Sequence, residues 1–309
     1  MSERRPPAPQ STRPRVAMLV THIRAEEKLL REALVVAGLT CDVLLDRELR
    51  LDLLADAAQA APNGRPWREY EAILIRTVSQ SRGLLAALVL EGWGLRVINR
   101  YETAAICADK ARTTLTLARA GIPQPAVRLA FTPAAGLSAL DELSYPAVLK
   151  PVVGSWGRLL ARVRDAEEAE AILEHRQTLG GYAQQVVYAQ EYIEKPGRDI
   201  RAFVIGERPI CAIYRASEHW VTNTARGGRA SNCPLTPELV SLCERAAAAV
   251  GGGLLALDVL EAPDGRLLLN EINHTMEFRN SSAPTGVDIA AAVAEYVREA
   301  VLPVRARAE

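Results

Sequence analysis

The sequence predicts a mixed α/β and α+β protein in three units, and three observations carry that expectation. Across 15–100, short apolar runs alternate with helical patterns, the arrangement of a parallel sheet with helices on its faces. Between 109 and 195 three strands follow one another without a helix between them, as in a small α+β unit. From 196 to 309 the strands lengthen and only two helical patterns remain. The boundaries read from these changes are a tail over 1–14, an N-terminal α/β unit over 15–108, a central unit over 109–195 and a C-terminal unit over 196–309.

Each element has a local reason. Residues 1–14 are rich in Pro, Arg and Ser and lack an apolar h-region, so they read as a disordered tail and not as a secretory signal. Residues 15–20 (RVAMLV) form a first strand, and 26–37 an amphipathic helix stopped by Gly38, a favoured C′ residue. Strands follow at 41–45, 72–75 and 95–98, with a helix at 83–91. No GxGxxG follows the first strand, so a Rossmann dinucleotide site is not supported. In the central unit a helix at 110–120 is closed by Gly121-Ile122-Pro123; strands at 127–131, 147–150 and 159–163, a helix at 166–175 and a strand at 185–190 follow. The last unit has strands at 199–205, 209–214, 254–260 and 267–272 and helices at 237–250 and 288–300.

Composition narrows the function classes. The 37 basic and 37 acidic residues cancel, which argues against a general nucleic-acid or anionic-membrane binder while leaving room for a local basic patch. The five cysteines, Cys41, Cys107, Cys211, Cys233 and Cys243, are odd in number and have no CxxC spacing. That pattern speaks against a structural zinc site or a disulfide framework and for a reducing cytoplasm. The four histidines form no HExxH cluster, and no apolar run approaches the length of a membrane span.

The most informative stretch is Leu267-Leu268-Leu269-Asn270-Glu271-Ile272-Asn273, an apolar strand that ends in polar residues. Side chains two apart on a strand share a face, so Glu271 and Asn273 aim at one spot. Asp258 interrupts a second apolar strand, Leu255 to Leu260. Burying such groups without a partner costs several kcal/mol, and a divalent cation removes that cost; all-oxygen ligands suit Mg²⁺ carried with nucleotide phosphates. The alternative is a buried salt bridge between adjacent strands. Lys150 ends another apolar strand and calls for an anion. Four residues on, Gly154-Ser155-Trp156-Gly157-Arg158 can wrap phosphates with backbone N–H groups, although taken alone it is an ordinary hairpin turn. Gln190-Glu191-Tyr192-Ile193 leaves a strand and enters Pro196-Gly197; it reads either as a linker or as a crossover offering backbone groups to an adenine edge. Asp199 and Arg201 share a strand face, as a local salt bridge or as a ribose or substrate contact. Residues 223–228 (NTARGG) make a polar loop with one arginine, either solvent-facing or functional.

The ordered set Asp109-Lys110, Lys150-Pro151, GSWGR, QEYI, DIR, Asn223-x-x-Arg226-Gly-Gly, Asp258 and Glu271-x-Asn273 resembles the ATP-grasp superfamily, and within it the RimK-like ligases. Closest are the LysX-type enzymes, which attach α-aminoadipate to the carrier protein LysW in lysine biosynthesis; the segments 78–83, 150–161, 190–201, 219–228 and 270–278 carry that likeness. The resemblance covers roughly 15–300 and leaves the N-terminal tail unexplained.

The resemblance implies an ATP-grasp fold, with the central unit as a lid, and cytoplasmic ATP-dependent carboxylate–amine ligase activity through an acyl phosphate. It implies that Lys110, Lys150 and the loop Gly154, Ser155, Trp156 and Gly157 hold phosphates, and that Gln190, Glu191, Tyr192 and Ile193 read adenine, with Asp199 and Arg201 beside the nucleotide. Asp258, Glu271 and Asn273 would hold two Mg²⁺ ions. Arg201, Arg226 and Asn223 would face the γ-phosphate and the carboxylate under attack. Ser79, Ser81, Thr222, Asn223, Thr224 and Arg279 would shape the substrate side. The implied partners are α-aminoadipate, the acidic C-terminal tail of LysW and a second copy of the chain in a homo-oligomer, with no nucleic acid and no membrane. Rival readings are a glutamate ligase acting on the same carrier or on another protein tail, and a non-catalytic nucleotide-binding regulator, which the intact lysines and oxygen ligands disfavour.

Overall fold

The computed structural model describes residues 13–154, 159–181, 185–222 and 228–302. Strands β1 (Arg15–Val20), β2 (Thr40–Leu45), β3 (Ala72–Arg76) and β4 (Val97–Ile98) form a parallel sheet in the order β2-β1-β3-β4. Helices α1 (Ala25–Val36) and α2 (Gln80–Gly92) accompany it. Both faces of β1 are covered. Ala17 and Leu19 pack with Trp67, Ile73 and Leu90, whereas Val16, Met18 and Val20 pack with Leu30 and Leu34. That two-sided burial is why β1 reads as a continuous apolar run. Gly38 takes φ +85° past the end of α1, as expected of a C′ residue. Helix α2 starts three residues before the expected 83, because Gly83 hides the period there. A Cβ at Gly83 would lie 2.4 Å from Thr77 Oγ1, so only glycine fits.

Helices α3 (Tyr101–Ala108) and α4 (Lys110–Arg119) follow, and α3 has no counterpart in the sequence reading. The small sheet is antiparallel, ordered β5 (Val127–Ala130), β8 (Val187–Glu191), β6 (Ala147–Lys150), β7 (Ala161–Val163). Helices α5 (Pro133–Leu143) and α6 (Ala166–Leu179) pack on it around Leu140, Leu149, Leu173 and Val187. Helix α5 was also not anticipated.

The third sheet is antiparallel, in the order β11 (Arg229–Cys233), β10 (Arg208–Ala216), β9 (Arg198–Gly206), β12 (Gly253–Glu261), β13 (Leu267–Asn273). On one face α7 (Pro237–Val250) buries Leu239, Leu242 and Ala246 against Val204, Leu255 and Leu257. Leu117 and Ile122 belong to this same core, so α4 packs with the third sheet although it precedes the small sheet in the chain. After the short α8 (Ser282–Thr285), helix α9 (Ile289–Val301) places Val293 and Val297 in a core shared by Phe203, Met18 and Leu34. The first and third sheets are thereby joined through one apolar cluster. No helix of the described residues is long and apolar enough to cross a membrane.

Candidate active site

The feature that builds the site is an irregularity in β13. Val259 pairs with Leu269 and Asp258 with Glu271, so Asn270 is an extra residue on its strand. Such a bulge breaks the two-residue alternation. Leu269 and Ile272, three apart, both pack in the core with α7. Asn270, Glu271 and Asn273 all line one cleft with Asp258, Lys150 and the 190–193 crossover.

Lys150, 5% exposed at the end of β6, donates to Gln190 Oε1 (2.7 Å) and Asn270 Oδ1 (2.9 Å). Gln190 in turn donates to the same Asn270 oxygen at 3.1 Å. The ammonium is thus held by neutral amides. Burial lowers its pKa to about 8, against the pull of Glu271. Lys110 enters from α4, donates to the Gly154 carbonyl (2.7 Å) and lies 3.7 Å from Glu271 Oε1. The backbone of Lys110 also donates to Val152, so the start of the 151–154 loop is tied to the N-terminus of α4.

A ladder of alternating charges crosses the third sheet. Asp199 and Arg215 are register partners on β9 and β10, and Arg201 and Asp258 on β9 and β12. Arg215 grips Asp199 with both Nε (2.7 Å) and Nη2 (2.8 Å); Arg201 grips Asp258 in the same way at 2.8 and 2.9 Å. Arg215 also reaches Asp258 at 3.1 Å. The local pairing of Asp199 with Arg201 is therefore corrected: cross-strand neighbours take both, because bidentate Arg–carboxylate geometry is available across the strands. Burial opposes the charged form of Asp258, but Arg201 and Arg215 outweigh it and hold its pKa well below the usual carboxylate range.

Glu271 and Asn273 offer oxygens that suit a hard divalent cation, whereas both oxygens of Asp258 are engaged by Arg201 and Arg215. Glu271 and Asn273 are partly exposed at the strand end, and the Asn273 amide nitrogen makes only a long contact of 3.5 Å to the Ala256 carbonyl. Its oxygen is therefore the atom left for the cleft. The trio holds two carboxylates and one amide oxygen; among the described residues no three His, Cys, Asp or Glu gather as a metal group, here or at another place. Oxygen-only sites of this sparse kind suit Mg²⁺, which keeps waters or phosphate oxygens as its remaining ligands.

At the crossover, Glu191 accepts from the Ala126 N–H (3.0 Å) and fixes the end of β8. Arg162 lies 5.2 Å from the Tyr192 ring and 5.9 Å from the Trp220 ring, and donates to the Tyr192 hydroxyl at 3.1 Å. Ile193 packs on Leu260 and Leu268. All four residues 190–193 line the cleft.

On the substrate side the outcome is mixed. Thr222 is buried, lines the cleft and accepts from Lys195 at 2.8 Å. Ser79 and Ser81 face each other at 3.4 Å away from the cleft lining, whereas Thr77, Val78 and Gln80 line it. The reason is that α2 begins at Gln80, which turns Ser81 outward. Arg279 is exposed and outside the lining; its backbone N–H donates to Glu26 at 3.0 Å. Ser155, Trp156, Gly157, Asn223, Thr224 and Arg226 lie outside the described residues, as does most of the 1–14 tail. The sequence reading missed Asn270, Lys195, Arg215 and Arg24 as cleft residues. Asn270 carried a signal, a polar residue within an apolar strand; the others depend on cross-strand register and on packing between units.

Comparison with known proteins agrees with this geometry. Residues 107–297 match the RimK-like ATP-grasp domain and 16–106 the LysX pre-ATP-grasp domain. A glutamate–LysW ligase, ArgX, of Sulfurisphaera tokodaii is 33% identical, covering 92% of this chain and 98% of the relative. An α-aminoadipate–LysW ligase, LysX, of Saccharolobus solfataricus is 36% identical over 69% of this chain and 78% of the relative. A RimK-domain ATP-grasp protein of Sphaerobacter thermophilus superposes with a TM-score of 0.75 at 30% identity, over 91% of this chain and 98% of that one. The ATP-grasp ligase PsnB, solved with Mg and ADP, has a TM-score of 0.70 at 19% identity over 93% of this chain and 98% of that one, a likeness of fold. The chain belongs to the RimK-like ATP-grasp family with a LysX-type pre-ATP-grasp domain, and it is an ATP-dependent carboxylate–amine ligase.

Proposed function

We propose that the enzyme joins the α-amino group of an acidic amino acid to the γ-carboxylate of the C-terminal glutamate of a LysW-type carrier. The carboxylate is activated as an acyl phosphate and the amine then displaces phosphate. The observation that carries this reading is the cleft lined by Lys150, Asn270, Glu271 and the bidentate pair Arg201–Asp258, with Lys110 reaching Glu271 at 3.7 Å. Lys110 and Lys150 hold the phosphates, and residues 190–193 hold the base. Glu271 and Asn273, with Asp258 if its arginines yield an oxygen, would hold magnesium, which would supply charge neutralisation for the phosphates. Arg201, together with Asn223 and Arg226, faces the transferring phosphoryl group, where preorganised cations are most effective. No protein nucleophile is required.

The amino acid in this reading is α-aminoadipate, supported by the likeness of the Thr222-Asn223-Thr224 stretch to the aminoadipate ligases. Glutamate, one methylene shorter, is the second reading. The end-to-end alignment with glutamate–LysW ligases favours it. A single methylene in a pocket discriminates by only about 1–3 kcal/mol, so the two sites can differ by few contacts. Mass spectrometry of LysW incubated with enzyme, MgATP and either amino acid separates them. The expected result is a gain of one aminoadipyl unit that disappears when the carrier's last residue is deleted. A gain with glutamate alone moves the assignment to the glutamate ligases. Absence of any gain, with ATP turned over on a small free acid, contradicts the carrier reading and leaves the ligase standing.

A further inference from the structure

We propose that Arg24 and Glu277 form the subsite for the incoming amino acid, Arg24 taking its α-carboxylate and Glu277 its α-ammonium. This rests on the amino-acid ligase reading above. Arg24 occupies the N-cap of α1, a position where Ser, Thr, Asp or Asn is preferred and where the helix's partial positive charge disfavours a guanidinium. The chain compensates with Glu26 and Glu27 in the first turn. Fully buried Glu27 grips Arg24 Nε at 3.0 Å and Nη2 at 2.8 Å, which fixes the plane of the guanidinium. The remaining nitrogen, Nη1, meets Glu277 Oε1 at 2.8 Å.

Glu277 is braced in the same manner. Arg76, buried, donates to the carbonyl of neighbouring Met276 at 2.8 Å and reaches Glu27 at 3.3 Å. Glu26 accepts from the N–H groups of Phe278 and Arg279 at 2.9 and 3.0 Å. Buried groups thus hold both backbones, while the side chains of Arg24 and Glu277 remain 20% and 36% exposed. Both side chains line the cleft, alongside Thr77, Gln80 and Thr275. The hydrogen-bond partners of Lys150, Gln190 and Asn270, come from the small and third sheets. Arg24, Thr77 and Gln80 face the same cleft from the first sheet's side, away from these partners of Lys150 in the chain. An α-amino acid carries a cation and an anion on one carbon. A braced Arg–Glu pair presents the same two charges in opposite order, and in the free protein the pair satisfies itself, leaving no unpaired charge at the wall.

The test is calorimetry of α-aminoadipate and glutamate against protein saturated with magnesium and a non-hydrolysable ATP analogue. Losing one charge-assisted contact in Arg24→Gln or Glu277→Gln is expected to weaken binding of the preferred amino acid by roughly tenfold or more, with affinity for the ATP analogue unchanged. Glu277→Gln leaves the Arg24–Glu27 cap intact, so its result does not depend on the stability of α1. With glutamate as probe, Arg24→Gln is expected to lose preference over isoglutamine, the α-amide, and to keep preference over glutamine. Wild-type affinity in both variants, or lost discrimination against glutamine instead, overturns the proposal. A wild-type enzyme that binds the ATP analogue but neither acidic amino acid overturns the substrate reading itself.

Discussion

Lys150 shows how a single residue reports the state of this site. Its ammonium is buried among amides, and that burial lowers its pKa to about 8. A phosphate placed against it restores the charged form. Binding of ATP therefore takes up a proton near and above pH 8. Affinity is highest below the free-protein pKa and falls as pH rises through it, approaching tenfold per unit for a single proton. Calorimetry of a non-hydrolysable ATP analogue at pH 8 in buffers of different ionisation enthalpy measures the uptake. In Lys150→Met the uptake is expected to vanish and affinity to drop roughly tenfold or more, since charge-assisted hydrogen bonds contribute about 1.5–3 kcal/mol. Unchanged affinity, or no proton uptake in the wild type, would remove Lys150 from the phosphate site. The sequence exposed this residue, like Asp258 and Glu271, because a charge that interrupts an apolar strand needs a partner; for Asp258 that partner is the cross-strand salt bridge to Arg201 that the sequence left open as the alternative. Arg24 and Lys195 had no such signal: each lies in an ordinary polar context, and only packing between units brings them to the cleft.

At the scale of elements, the ladder Asp199–Arg215–Asp258–Arg201 ties β10, β9 and β12 together beneath the cleft. Removing one member of a buried pair leaves an uncompensated charge, at a cost of about 3–5 kcal/mol. Arg215→Leu strips one partner from each of two carboxylates, so a loss of that size is expected in urea denaturation. Asp199→Asn added to it should recover part of the loss. The acid limb moves as well. Asp258's pKa is held below its ordinary value near 4, so its stabilisation is complete above about pH 4 and is lost as pH falls further. In Arg215→Leu the folded-state pKa moves back toward its ordinary value, so the acid-dependent loss is smaller and is complete at a higher pH; identical acid limbs would contradict the ladder's role.

The ladder was invisible in the sequence because it depends on register, which pairs residues 16 and 57 positions apart. Helix α3 was missed because it is buried nearly all round, with Thr103, Ala104, Ala105, Cys107 and Ala108 in the interior, and so lacks a polar stripe. Helix α5 was obscured by Gly136, whose Cβ would sit 3.2 Å from Leu173 and Val187. Strand β11 shows mostly exposed, polar residues, so its sequence resembles a loop. The long apolar strands β1, β12 and β13 were legible because burial leaves little freedom in their composition.

On the scale of the whole molecule, the cleft exists only where three sheets meet. The first contributes Arg24 and Thr77 from the segments after β1 and β3, the small sheet Lys150 and Gln190, and the third Asp258, Glu271 and Asn273. Helix α9 and the cluster of Phe203, Met18 and Leu34 fix the first sheet against the third. The small sheet approaches through polar contacts, Lys150 to Asn270 and Lys110 to the Gly154 carbonyl. An apolar hub with a polar-docked central unit suits a ligase that must admit a nucleotide and its other substrates to one point.

The proposed reaction begins with transfer of the γ-phosphoryl group to a carboxylate of the carrier. It is tested by labelling the carboxylates of LysW with heavy oxygen and analysing the phosphate released on incubation with enzyme, MgATP and the amino acid. Attack of the carboxylate on the γ-phosphate, then displacement by the amine, leaves one labelled oxygen in each phosphate formed in the wild type. Glu271→Ala, which removes a carboxylate proposed to hold magnesium, is expected to release essentially none. Unlabelled phosphate from the wild type alongside modified carrier, or label recovered in AMP, would contradict the account.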